Sequence, residues 1–391
     1  MREAYIVAGY RTAVTKAKRG GFRFYRPDDL AADVIKYLLE SVPELDPNRV
    51  DDLIVGNAFP EAEQGLQVAR MIALQCLPME VPGVTVNRFC ASGIETISIA
   101  IARIQSGMMD CVIAGGIESM TMVPMTGWKL APNYQTAKDD PGYYMGMGLT
   151  AEKIVKKYKI SREDQDEFSY NSHMKALNAI EKDYFKDQIV PIEVEEVHLD
   201  NGKKKVNKFV VEVDEGPRAN TTIEALAKLK PVFAADGTVT AGNSSQTSDG
   251  AAFVLVMSEE MVKELNLKPI ARMVSYALAG VDPTMMGTGP IEAVPKALKK
   301  ADMKLDDIDQ IELNEAFASQ ALSVIRTLDL NIDFVNVNGG AIALGHPLGC
   351  TGAKLSVQIL NELKRTNKKY GMVTACVGGG QGVAGIYELL N

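Results

Sequence analysis

Long apolar runs are missing from this chain. No stretch of its 391 residues approaches the uncharged span that crossing a bilayer requires. Cysteine is scarce: Cys76, Cys90, Cys111, Cys350 and Cys376 are the five present, and no two are spaced as CxxC. An odd count in a long chain argues against a disulfide framework and for reduced thiols in a cytoplasm-like compartment. Histidine is scarcer still, three residues with no HxxxH spacing, which leaves nothing to assemble a zinc site. No Walker-type loop occurs. A basic n-region followed by an apolar h-region is absent from the N-terminus, so no secretory leader is expected. The last residues, Tyr387 to Asn391, carry no recognisable address. Positive charge is outnumbered, 42 Lys and Arg against 50 Asp and Glu, and the net charge is −8. General nucleic-acid binding wants a basic stripe, and there is none along the chain.

What is present is an ordinary globular composition, 46% hydrophobic and 24% charged, with length for two or three packed domains. One basic region runs against the acidic trend: Lys203, Lys204, Lys205, Lys208, Arg218, Lys228 and Lys230. A solvated hairpin with its flanks accounts for each lysine singly; together they suit docking of a polyanionic ligand.

The sequence repeats itself. Val50-Asp-Asp-Leu-Ile-Val-Gly-Asn-Ala-Phe59 aligns without a gap on Ile308-Asp-Gln-Ile-Glu-Leu-Asn-Glu-Ala-Phe317. Each copy reads as a turn, a short apolar strand and a small polar tip, preceded by a helical pattern over Asp29 to Leu39 or Ile291 to Lys300. Val86-Asn87 and Val337-Asn338 each end a further short strand. A turn, a helix and a buried strand follow, Cys111 to Ala114 in one copy and Met372 to Ala375 in the other. Strands alternating with helices predict mostly parallel, buried sheets in two similar α/β units. Ligand sites on such sheets collect beyond the C-terminal strand ends. Between the copies, Thr121 to about Ser248 lacks the buried-strand rhythm. It holds a helical stretch, Arg162 to Ala179, and a hairpin near Asn201-Gly202. The chain returns to the first unit with the strand Ala251 to Met257.

Cys90 lies in Val-Asn-Arg-Phe-Cys-Ala-Ser-Gly, between a strand and the helical run Ile94 to Ile104. A helix N-terminus favours an anion and lowers a thiol pKa, which suits a nucleophile better than a core cysteine. His346 sits among closely spaced glycines in Asn338-Gly-Gly-Ala-Ile-Ala-Leu-Gly-His-Pro-Leu-Gly-Cys-Thr-Gly352, where a neutral imidazole can take a thiol proton or hold an oxyanion. Cys376 ends an apolar strand and opens Cys-Val-Gly-Gly-Gly-Gln-Gly382, a thiol beside backbone N–H groups. Gly380 to Gly385 fits GxGxxG, but too few residues follow for the helix and second strand of a dinucleotide fold. Asn314 and Glu315 at a strand end suit a held water or an oriented histidine, with turn chemistry as the plain alternative. His173 and His198 read as surface residues. Cys76 and Cys111 read as core, and Cys350 as a small turn residue.

These blocks resemble the thiolase family over essentially the whole chain. VNRFCASG resembles its nucleophile block, NEAFA the block holding a catalytic water, GGAIALGHPLGCTGA its His block, and CVGGGQG its second-Cys block. The resemblance implies an α/β, thiolase-like fold of two βαβαβαββ halves stacked in layers with an inserted loop domain. The divisions are 1–120 with 249–268, 121–248, and 269–391. It implies that Cys90 carries the acyl group and His346 activates it. Cys376 exchanges the α-proton. One oxyanion hole is His346 with a water on Asn314, the other the backbone N–H groups of Cys90 and Gly378. It also implies coenzyme A thioesters as substrates, with no permanent cofactor and no metal. Ser245 would face pantetheine, Arg218 the nucleotide end, and Met147, Met286 and Phe317 the tunnel. A homodimer or homotetramer, and a β-oxidation hydratase–dehydrogenase partner, are further family expectations.

RGGFRFYRPDDL, GGIESM and NEAFASQA look more like degradative 3-ketoacyl-CoA thiolases. Biosynthetic acetoacetyl-CoA enzymes carry a His where Gly146 stands. Ketosynthase-type relatives lack a second Cys in the C-terminal glycine loop. A non-catalytic acyl-CoA carrier on the same fold would need neither both cysteines nor His346.

Overall fold

The computed structural model describes residues 2–390. The first half runs β1 (Ala4–Thr12), α1 (Pro27–Glu40), β2 (Asp52–Gly56), α2 (Val68–Cys76), β3 (Gly83–Val86), α3 (Ser92–Gln105) and β4 (Cys111–Ser119). Helix α1 opens on Pro27 with Asp28 and Asp29 in its first turn, which suits the free N–H groups and dipole there. Its buried stripe is Leu30, Val34 and Leu38, the spacing of one helix face.

An excursion follows β4. It contains α4 (Met147–Tyr158) and α5 (Arg162–Glu181), the latter started by a Ser161–Asp164 capping box. The strands Ile192–Asp200 and Lys203–Val211 then form a separate hairpin. Its lysines are solvated, and Lys205 and Lys208 face Asp200 and Glu195. The chain re-enters the first half as β5 (Ser248–Ser258).

The second half runs β6 (Ala271–Gly280), α6 (Gly289–Ala301), β7 (Gln310–Leu313), α7 (Ala318–Leu328), α8 (Leu348–Thr366), β8 (Tyr370–Val377) and β9 (Gln381–Leu389). The two halves share one topology. In the first, strands lie in the order β3-β2-β4-β5-β1. In the second, the order is β7-β8-β9-β6, with Val335 bridging in parallel to Ile311 where a third strand would lie. Val337 and Asn338 therefore lie in a turn, and the strand expected there has shrunk to one bridge. Among the described residues, the halves meet along the sheet only at Ile6 and Ala271.

Three buried clusters define the layers. Helices α1 and α2 cover one outer face, and α6 and α7 the other. Helices α3 and α8 lie between, packed against strands of both halves. Their backbones approach closely because a glycine faces the contact from each side. A Cβ on Gly93 would sit 2.5 Å from the Ala353 nitrogen, and one on Gly352 2.3 Å from that of Ile94. The N-terminal ends of these two central helices come together as a result, and each carries a chemistry-bearing block.

Candidate active site

Cys90 sits on a 3-10 turn, Phe89–Ala91, between β3 and α3. Phe89 has φ +41°, a left-handed conformation costly for a bulky side chain. Local bonds hold it: the Phe89 N–H donates to Asn87 Oδ1 at 2.8 Å and Ser92 Oγ donates to the Phe89 carbonyl at 2.7 Å. The turn packs against both α8 and β8. That brings the Cys90 sulfur to the Gly378 backbone N–H, at the start of the Gly378–Gly380 hairpin turn. The GxGxxG match lacks the strand–turn–helix context of a dinucleotide fold, because β8 and β9 pair antiparallel across this hairpin.

The thiol does not behave as the helix end alone predicts. Burial pushes the Cys90 thiol up to about 11, and the Gly378 and Cys90 N–H groups offset this only in part. Desolvation outweighs the dipole, so Cys90 is a thiol at neutral pH and needs a base.

His346 is equally enclosed, in a loop between a short helix, Ala341–Leu344, and α8. Its Nδ1 lies 2.6 Å from Thr351 Oγ1, which in turn donates its proton to the Pro347 carbonyl at 2.8 Å. A hydroxyl has one proton to give, so the imidazole must carry its own on Nδ1. Nε2 is then a lone pair, 3.3 Å from Asn314 Nδ2. Burial, and secondarily Lys354, hold the imidazole down to about 3, so it stays a neutral acceptor across the physiological range. Replacing Thr351 by valine is expected to free the tautomer and lower kcat by about ten- to a hundredfold, part of the ~10²–10⁴ a positioned base supplies. KM should stay put, which steady-state kinetics will check.

Cys376 lies inside β8 rather than beyond its end, with no exposure. Burial first and the neighbouring Cys90 second push its thiol up. It packs with Met286, Ala316 and Phe317, and with half-buried Met147. A Cβ on Gly378 would lie 4.0 Å from the Met147 sulfur. Phe317 meets Phe233 edge-on with centroids 6.0 Å apart. Ser245 is half-buried beside them, its N–H donating to the Ala316 carbonyl at 3.0 Å. Cys90, His346, Cys376, Asn314, Gly378, Met147, Met286, Phe317 and Ser245 thus border one region. Arg218 does not touch it. Its side chain is exposed near Lys16, and its N–H donates to His173 Nδ1 at 3.3 Å.

Three sequence expectations need correcting. Asn314 and Glu315 are both buried, and they diverge. Asn314 turns to His346, while Glu315 accepts from Ser172 Oγ at 2.7 Å and the Ile342 N–H at 3.2 Å, clamping the His loop from behind. His173 is a core acceptor, not a surface residue. Cys350 belongs to α8.

Two working residues were missed. Thr351 fixes the tautomer. Glu118, buried in β4 near Cys90, accepts from the Ala58 and Gly349 N–H groups, each at 2.8 Å, tying the tip of β2 to the start of α8. A carboxylate inside the apolar run Cys111 to Ser119 was the available signal. Among the described residues, no group of three or more His, Cys, Asp or Glu is arranged to hold a metal, and no helix is long and apolar enough to cross a membrane.

Comparison with known proteins gives the same picture along the whole chain. Residues 4–260 match the model of the thiolase N-terminal domain, and 267–389 that of the thiolase C-terminal domain. A 3-ketoacyl-CoA thiolase of Bacillus subtilis is 53% identical with 100% of both chains covered. The peroxisomal 3-ketoacyl-CoA thiolase 1 of Arabidopsis thaliana is 42% identical over 99% of this chain and 87% of its own. Human mitochondrial 3-ketoacyl-CoA thiolase superposes with a TM-score of 0.90 at 39% identity, covering 100% of this chain and 99% of that one. A Bacillus anthracis acetyl-CoA acetyltransferase reaches the same TM-score, 0.90, at 41% identity and the same coverage. Matched in both halves and over its full length, the chain belongs to the thiolase family.

Proposed function

We propose that the protein cleaves 3-ketoacyl-CoA with coenzyme A, giving acetyl-CoA and an acyl-CoA shorter by two carbons, as a step of fatty-acid β-oxidation. The supporting observation is the Nδ1–H tautomer of His346, which leaves Nε2 an acceptor facing Asn314 in a region that two buried thiols border. In this reading Nε2 takes the Cys90 proton and the sulfur attacks the 3-keto carbon. The C2–C3 bond breaks with its electron pair on C2, and Cys376 protonates that carbon to release acetyl-CoA. Coenzyme A then gives its thiol proton to the Cys376 thiolate as it attacks the acyl thioester, and the departing Cys90 sulfur takes back its proton from His346. Dividing the transfer through a covalent thioester lowers each barrier. The Gly378 and Cys90 N–H groups serve one oxyanion, and Nε2 of a transiently protonated His346, with a water on Asn314, the other. Ser245 lies along pantetheine and Arg218, with Lys16 beside it, at the nucleotide end.

Gly146 favours longer acyl chains. It precedes α4, and a Cβ there would meet nothing within 4 Å. The test is thiolysis of acetoacetyl-CoA against a 3-ketoacyl-CoA of about eight carbons, chosen so that added CH₂ groups report on tunnel burial. A higher kcat/KM for the longer ester is expected. Activity confined to acetoacetyl-CoA would make the protein a short-chain acetyltransferase, and none on either would point to a carrier.

The same reading divides the chain at 121 and 248 for the insert and near 268 between halves. It places the protein in the cytoplasm as a homodimer. β3 is an edge strand, and Leu66, Met71, Leu74, Met79 and Phe89 stand exposed around it. Light scattering should give twice 42.4 kDa, and a monomer would overturn this assembly.

A further inference from the structure

We propose that Arg88 is a positioning residue for this chemistry, its guanidinium latching the nucleophile turn to the glycine turn so that the Gly378 N–H stays at the Cys90 sulfur and at the oxyanion that forms beside it. The inference rests on the reading that the Gly378 and Cys90 N–H groups serve an oxyanion. The two turns belong to different halves. Arg88 stands between the end of β3 and the left-handed Phe89, just ahead of Cys90. Gln381 opens β9 opposite Val377 and so closes the turn Gly378–Gly380. Arg88 Nη1 donates across the gap to Gln381 Oε1 at 2.8 Å.

The rest of the fork is held on its own side. Arg88 Nε and Nη2 donate to the two oxygens of Glu95, at 2.7 and 3.2 Å. Glu95 lies in the first turn of α3, is 9% exposed, and also accepts from the Tyr276 hydroxyl on β6 of the second half. The guanidinium is planar, so two nitrogens fixed by Glu95 leave the third one direction to point. A latch is needed at this place. Glycine has more backbone freedom to lose than any other residue, and Gly379 and Gly380 take φ +79° and +81°. An oxyanion donor works only when it is held in place before the charge forms. The far side of the turn is fixed by the Val281 N–H, which donates to the Gly380 carbonyl at 2.8 Å. On the Cys90 side, Gly378 meets the Phe89 ring, which would lie 3.5 Å from a Cβ there. Among the described residues, Arg88 to Gln381 is the one side-chain hydrogen bond that joins residues 83–105 to residues 370–389.

The test uses the full-length enzyme carrying Gln381→Met, which removes the acceptor and leaves the Arg88–Glu95 pair whole. In thiolysis of a 3-ketoacyl-CoA, kcat and kcat/KM should fall together by about three- to thirtyfold, part of the ~10²–10³ that one oxyanion donor supplies. A joint fall marks a contact that counts in the transition state alone. The second readout is alkylation of Cys90 by iodoacetamide at about pH 8, located by mass spectrometry. The Gly378 N–H favours the thiolate, so loosening it should slow alkylation by about three- to tenfold, what one hydrogen bond to the thiolate is worth. A merely structural defect opens the fold around the buried thiol and speeds alkylation instead. An unchanged kcat, or alkylation at or above the wild-type rate, overturns the proposal. Arg88→Met combined with Gln381→Met should cost no more than Arg88→Met alone, because the bond is already gone; losses that multiply overturn it too. Should Arg88→Met fail to fold, the two Gln381→Met readouts decide alone. Wild type that alkylates at Cys90 but performs no thiolysis would instead overturn the reading on which the proposal rests.

Discussion

Replacing Cys90 by alanine is expected to abolish thiolysis, lowering kcat by about four to six orders of magnitude, the scale on which enzymes lose turnover with their nucleophile. The reason is positional as much as chemical. Among the cysteines, Cys90 alone sits on a strained turn with the Gly378 backbone N–H at its sulfur. Cys111 and Cys350 are buried too, but each packs within an apolar cluster. Mass spectrometry after mixing with substrate should find an acyl adduct on wild type and none on Cys90→Ala. An adduct at another cysteine, with activity retained, would reassign the nucleophile.

Cys376→Ser separates the two half-reactions. Cys376 packs against the tunnel residues, and burial with the neighbouring Cys90 keeps its proton on. Serine matches its shape but is a far weaker acid, so proton exchange at C2 should fail. The variant is expected to accept an acyl group from acyl-CoA at Cys90 nearly as fast as wild type. Carbon–carbon cleavage should fall by about 10²–10⁴, the contribution of a placed acid–base group. Acylation is followed by exchange of labelled coenzyme A and cleavage by acetyl-CoA release. Near-normal cleavage by Cys376→Ser would remove this role from the second cysteine.

Much of the site was legible because it is built from short local signals. Cys90, His346 and Cys376 each stand beside glycine-containing turns between regular elements, and the repeat showed that two such turns belong to equivalent positions. What stayed illegible depends on partners distant in sequence. His173 reads as a surface residue until the 216–218 segment covers it. Thr351 looks like any helix residue until Pro347 and His346 claim its single proton. The thiol misreading has a physical source. A helix end can be recognised from neighbours in the chain, but burial needs the other half of the molecule, and burial won.

The Gly93–Gly352 contact has a consequence for how the chain comes into being. Nucleophile and base reside on different copies of one repeated unit, and those glycines let the two central helices close. On the ribosome the first copy emerges long before the second. Until the second copy docks, Cys90 has neither its imidazole nor the Gly378 N–H, so it lacks the base and the oxyanion donor that the reaction needs. The repeated fold thus ties assembly of the site to the docking of the second unit, and a truncated product carrying only the first unit is expected to catalyse no thiolysis.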